Sequence, residues 1–122
     1  MARVMVVDDA AFMRMMLKNV LIEGGHEVVA EAANGVEAVQ QYEAHHPDLV
    51  TMDITMPEMD GIEAVRAIVG TDPAAKIVMC SAMGQQQMVI DAIHAGAKGF
   101  VVKPFDKSKV LAEVEKLVPN AG

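Results

Sequence analysis

The sequence predicts an α/β fold built on a mostly parallel five-stranded sheet with helices on both faces. Three observations predict it. Five short runs rich in β-branched residues alternate with five segments whose apolar residues recur at helical spacing. Strands that alternate with helices imply crossover connections, which cover a parallel sheet on both sides. Four of the five runs also end in a polar, chemically useful side chain: Asp8 and Asp9, Asp53, Ser81 and Lys103.

Arg3 to Val7 is β-branched and reads as the first strand, ending in Asp8-Asp9. From Phe12 to Glu23, Met13, Met16, Leu17, Val20 and Leu21 recur with helical period, and Gly24-Gly25 stops the pattern. Val28-Val29-Ala30 is the second strand. Asn34-Gly35 is a turn or cap before a helix over Val36 to His45, with Val36 and Val39 inward and Tyr42 as a third candidate. The third strand begins after Pro47-Asp48 and ends at Asp53. A loop rigidified by Pro57 follows, and Asp60-Gly61 opens a third helix marked by Ile62, Val65, Ile68 and Val69 and closed by Gly70. After the Asp72-Pro73 break, Lys76 to Cys80 is the fourth strand, ending at Ser81. Met88 to Ala95 is the fourth helix, stopped by Gly96. Gly99 to Val102 is the fifth strand, ending at Lys103-Pro104. Asp106 can cap a last helix that carries Val110, Leu111, Val114 and Leu117.

A chain of 122 residues has the size of one domain, so residues 1–122 are expected to form a single unit. Ten basic and seventeen acidic residues give a net charge of −7, which disfavours nucleic-acid phosphates as the main ligand and favours cations or basic proteins. The single cysteine, Cys80, cannot form an internal disulfide, and no secretory h-region follows the N-terminus; both point to the cytoplasm. No apolar stretch approaches the ~18 residues needed to span a bilayer, so no membrane role is expected. His26, His45, His46 and His94 build no metal site and read as solvated surface residues, and Cys80 reads as a buried, inert thiol.

In a parallel sheet the strand ends share one edge, where open α/β sheets place their ligand sites. The chain therefore concentrates Asp8, Asp9, Asp53, Ser81 and Lys103 in one place. Carboxylates about 4 Å apart repel by about 4 kcal/mol per pair at an effective dielectric of ~20. Lys103 offsets part of that, and a hard divalent cation such as Mg²⁺, which binds through few carboxylates and keeps waters, offsets the rest. A carboxylate can also attack phosphorus and form an aspartyl phosphate. Asp53 then has the role of nucleophile, Asp8 and Asp9 hold the metal with the Thr55 backbone carbonyl as a further ligand, and Lys103 and Ser81 engage phosphoryl oxygens. Taken singly, each residue has an ordinary reading as a helix cap, turn residue, loop hydroxyl or solvated strand end. Their recurrence at four consistent strand ends makes coincidence a poor account.

The runs Val6-Val7-Asp8-Asp9, Met52 to Gly61, Ser81-Ala82 and Lys103-Pro104-Phe105, taken in this order, resemble the receiver domains of response regulators over nearly the whole chain, in particular the stand-alone chemotaxis type. The resemblance implies a flavodoxin-like fold with strand order 2-1-3-4-5 and a cis Lys103-Pro104 bond. It implies that Asp53 accepts a phosphoryl group from a histidine kinase, with Mg²⁺ on Asp8, Asp9 and Asp53. Ser81 would then move toward the phosphoryl group and Phe100, where enteric relatives carry tyrosine, would turn inward. Thr55 and Met83, each two residues past a site residue, would flank the path of attacking water and tune the lifetime of the phosphoryl group. The partner face would be helix 4, strand 5 and helix 5, centred on Val89, Ile93, Phe100 and Val102. The expected partners are the kinase, a flagellar switch protein and a dedicated phosphatase, with the chain itself a monomer and no enzyme beyond its own phosphorylation and dephosphorylation. Three other readings compete. A phosphorelay receiver would pass the group on to a histidine phosphotransferase. A haloacid-dehalogenase-type phosphatase would need a second aspartate where Thr55 stands. A nucleotide- or flavin-binding module lacks a glycine-rich phosphate motif after any strand.

Overall fold

The computed structural model describes residues 1–119. Five strands alternate with five helices: β1 (Arg3–Val7), α1 (Ala11–Glu23), β2 (Glu27–Ala32), α2 (Gly35–His45), β3 (Leu49–Asp53), α3 (Gly61–Thr71), β4 (Ile77–Ser81), α4 (Gln86–Ala95), β5 (Gly99–Val102) and α5 (Lys107–Leu117). All four strand pairings are parallel, in the order β2-β1-β3-β4-β5. This is the flavodoxin-like arrangement expected from the resemblance. Among the described residues no helix is long and apolar enough to cross a membrane.

Strand side chains alternate between faces, so each central strand feeds two cores. Val4, Val6, Leu49, Val78, Cys80 and Val101 pack with Leu17 and Leu21 of α1 and Val110 and Val114 of α5. Met5, Val7, Val50, Met52, Ile77 and Met79 pack on the other side with Ala38 and Tyr42 of α2, Val65 and Ile68 of α3, and Val89 and Ala92 of α4. Burial of β1, β3 and β4 on both faces explains why their sequences run apolar without polar alternation.

Five local expectations are corrected. Val36 is exposed, because the buried side of α2 is Gly35, set against Met59, with Ala38 and Tyr42 in the core. Gly70 does not close α3; the helix runs through it to Thr71, and Asp72 is the C-cap. The strand after Gly25 extends from Glu27 to Ala32, and α4 starts at Gln86 rather than Met88. His26 is buried, not solvated. Its Nδ1 accepts the Ala2 backbone N–H at 3.0 Å, a donor that would otherwise be orphaned at the start of β1.

That bond requires His26 to be neutral. Burial, reinforced by the N-terminal ammonium and opposed by Glu115, holds its imidazole below the ordinary value of 6.5. The unfolded chain therefore takes up a proton before the folded one does. The contribution is present above pH 6.5 and is lost as pH falls below it. Thermal melts between pH 7.5 and 5 are expected to show declining stability in the wild-type chain, and a smaller decline in His26→Gln.

Candidate functional site

The sheet order reverses direction between β1 and β3, and the crevice beyond such a switch point is where ligands bind, a rule for which this order is itself a standard example. Asp8 follows β1 and Asp53 ends β3, so the two acids flank that point. Side-chain alternation then selects which groups meet. Asp8 continues the face of Val4 and Val6, Asp53 that of Leu49, and Lys103 that of Val101. Lys103 Nζ lies 3.1 Å from Asp8 Oδ2 and 3.2 Å from Asp53 Oδ1, and joins both acids across the sheet end. Ser81 follows the opposite alternation, that of Ile77 and Met79. It is buried at the end of β4 and its carbonyl accepts the Lys103 backbone N–H at 2.7 Å, but among the described residues its hydroxyl is hydrogen-bonded to none of Asp8, Asp53 and Lys103.

Asp8, Asp9 and Asp53 bring one carboxylate oxygen each within 4.8 Å of one another. Asp8 is almost completely buried, Asp53 is 8% exposed, and Asp9 is open to solvent. Burial and the neighbouring Asp8 push the Asp53 carboxyl up, against the pull of Lys103. For Lys103, burial works downward, but the hydrogen bond and charge of Asp8 and the charge of Asp53 prevail and hold its ammonium above the ordinary value. Three carboxylates against one ammonium leave a surplus of negative charge, with two of the acids out of bulk water. Hard oxygen donors, an unbalanced charge and one solvent-facing acid fit a small divalent cation that retains part of its water shell.

The surrounding loops fix these groups. Asp8 Oδ1 accepts the Ala10 N–H at 2.9 Å, so its second oxygen serves Lys103. Arg14, one turn into α1, donates to the Asp8 carbonyl at 2.7 Å and reaches Glu31 on β2 at 3.3 Å. Reading the sequence alone missed Arg14; its signal was a basic residue within two turns of the paired acids. Gly61 was read only as a helix opener. Its N–H donates to the Ile54 carbonyl, and a Cβ there would fall 2.1 Å from the Asp53 carbonyl oxygen. Gly61→Ala is therefore expected to destabilise the fold by about 2 kcal/mol and to slow any reaction at Asp53, because the backbone that aims the acid must shift. Chemical denaturation of the variant checks this.

The remaining predicted residues divide. Thr55 is exposed on the loop after β3, and its hydroxyl accepts from Gln85 Nε2 at 3.2 Å. Met83 is 83% exposed on the loop after β4. Ile93, Phe100 and Val102 are exposed together, so Phe100 points outward in this structure. Val89 is the correction within the partner face: helical spacing turns Val89 and Ala92 onto the sheet, and leaves Ile90 and Ile93 outside. Ile90, Met83 and Phe100 line one cavity of about 430 Å³ beside Ser81. The Lys103-Pro104 bond is cis, as the resemblance implied.

Residues 4–115 match the response regulator receiver domain family. The chemotaxis protein CheY of Bacillus subtilis is 64% identical over 114 residues, 93% of this chain and 95% of the relative. That of Thermotoga maritima is 61% identical over 115 residues, 94% of this chain and 96% of the relative. Among solved structures, the CheX–CheY–BeF3–Mg²⁺ complex from Borrelia burgdorferi superposes with a TM-score of 0.90 at 42% identity, covering 95% of this chain and 88% of that one.

Proposed function

The chain belongs to the response regulator receiver family, and from that premise we propose that it is a single-domain chemotaxis response regulator that takes a phosphoryl group from a histidine kinase on Asp53. The observation that carries the reading is Lys103 bridging Asp8 and Asp53 inside a three-carboxylate cluster. A carboxylate oxygen of Asp53 attacks the phosphorus of a phosphohistidine. The P–N bond breaks, the imidazole leaves and takes up a proton, and an acyl phosphate remains on Asp53. A divalent cation, Mg²⁺, held by Asp8, Asp9, Asp53 and the Thr55 carbonyl would supply positive charge against the phosphoryl oxygens. Lys103 is already at the nucleophile and can pass from the free carboxylate to a phosphoryl oxygen. Hydrolysis returns Asp53 and inorganic phosphate.

The product is a conformation, so the chain is a signalling protein rather than a metabolic enzyme. The Ser81 hydroxyl lies outside the acid–Lys103 network, which gives it somewhere to move once a phosphoryl group offers it an acceptor. Phe100 stands outward beside a cavity that can take its ring. Movement of the two together would change the α4–β5–α5 surface, where Ile93, Phe100 and Val102 meet a flagellar switch protein. A dedicated phosphatase and a cytoplasmic, monomeric setting complete the proposal. Met83, standing over the loop after β4, would hinder water; Met83→Glu is expected to change the decay rate of the phosphorylated protein by several-fold, read by loss of label over time.

The test mixes the chain with an autophosphorylated chemotaxis histidine kinase. Label leaving the kinase for this chain, followed by binding of the flagellar switch protein to the labelled form only, is the expected result. Onward transfer to a histidine phosphotransferase without switch-protein binding would assign the chain to a phosphorelay instead.

A further inference from the structure

Gln85 precedes the first residue of α4, and its side-chain amide holds two loops at once. Its Oε1 accepts the Ala82 backbone N–H at 2.6 Å, and its Nε2 donates to Thr55 Oγ1 at 3.2 Å. Ala82 is the residue after Ser81, and Thr55 lies two residues beyond Asp53. One planar amide thus ties the segment that carries the β4 hydroxyl to the loop that carries the acceptor acid. Its own backbone is fixed as well, since the Gln85 carbonyl accepts the Val89 N–H and so belongs to α4. A shift of the Ala82 backbone toward Asp53 would lengthen or break this 2.6 Å bond to a group anchored in the helix.

We propose that Gln85 is a positioning residue, a latch that holds the Ser81–Ala82 segment in its resting place and must release before that segment closes on a phosphorylated Asp53. This inference rests on the reading of Asp53 as a phosphoryl acceptor. The bonds to Ala82 and Thr55 exist in the resting arrangement and not in the closed one, so they bias the equilibrium toward rest. Removing them makes the closed arrangement more accessible by roughly threefold to tenfold, the size of one net hydrogen bond.

Gln85→Met keeps the length of the side chain without its donor and acceptor. Thr55→Val removes the second anchor and keeps its shape. Both variants and the wild-type chain are labelled with a small phosphodonor and Mg²⁺, and titrated with beryllofluoride as a non-transferable phosphoryl mimic. The Ala82 amide is followed by NMR before any addition. In Gln85→Met the Ala82 amide proton is expected to shift upfield, with labelling faster and beryllofluoride binding tighter, each by threefold to tenfold. Thr55→Val is expected to move in the same direction by less, and the double variant by less than the product of the two, because both act through one amide. A slower or unchanged reaction in Gln85→Met, or effects that simply multiply, would overturn the latch while leaving the acceptor reading in place. No labelling of the wild-type chain would reject the acceptor reading and the latch with it. A thermal melt of Gln85→Met within a few degrees of wild type confirms that the fold is intact; if it is not, the beryllofluoride affinity of Thr55→Val, which does not depend on access of hydrolytic water, decides: tighter binding supports the latch and unchanged or weaker binding overturns it.

Discussion

Asp53→Asn is expected to reduce phosphoryl incorporation from a small phosphodonor and Mg²⁺ to background. The amide has nearly the shape of the acid but no anionic oxygen to attack phosphorus. A mass gain in the wild-type chain and none in the variant is the measurement. The same substitution has a second expected effect of opposite sign. Burial and Asp8 push the Asp53 carboxyl up, so the folded protein is more stable when this group is uncharged. The wild-type chain loses stability from this source as pH rises through the folded value of the acid. In chelator at neutral pH, Asp53→Asn should melt higher than wild type, and the gap should close as pH is lowered toward 4. The residue that makes the reaction possible is thereby also a local cost to the fold, which is common at sites that store charge for chemistry.

The second large effect concerns Lys103. Lys103→Met preserves the aliphatic stem but leaves Asp8 and Asp53 without their shared cation. Removing one partner from a buried ion pair costs about 3–5 kcal/mol. Here about 3 kcal/mol is expected, because the Lys103 side chain is 22% exposed and Asp9 faces water. At about 4 °C per kcal/mol, the melting temperature in chelator falls by about 12 °C. Mg²⁺ should recover most of this loss, since a ligand at 100 times its dissociation constant contributes about 2.7 kcal/mol. Labelling should stay slow even with Mg²⁺, because the cation does not replace the ammonium on the phosphoryl oxygens. A variant whose melting temperature matches wild type in chelator would show that the bridge contributes little.

Much of this was legible in the sequence, for identifiable reasons. The strands buried on both faces announce themselves as largely apolar runs, broken in β3 only by the buried Thr51, and each is closed by a charged or hydroxylic residue. That placed Asp8, Asp53, Ser81 and Lys103 at one edge before any coordinates. What the sequence could not show was the face on which each end projects. Asp8, Asp53 and Lys103 share a parity and meet, whereas Ser81 has the other and stands apart. Val36 and Val89 were misplaced for the same kind of reason: helical period marks an apolar stripe, but the packing of neighbouring elements decides which edge of the stripe is covered. His26 looked like a surface residue because its partner is a backbone N–H, 24 positions away in the chain. Gln85 carried no signal at all; a glutamine becomes informative only once two loops are seen on either side of it.

The central claim is that acids from separate strands make Asp53 a metal-dependent phosphoryl acceptor. Site mapping tests it most directly. The wild-type chain is incubated with a small phosphodonor in Mg²⁺ or in chelator, digested, and its modified peptide identified by mass spectrometry. The account predicts a single acid-stable, base-labile adduct on Asp53, present with Mg²⁺ and nearly absent in chelator. Modification at a histidine or at Asp9, or equal labelling of Asp53 in chelator, would contradict it.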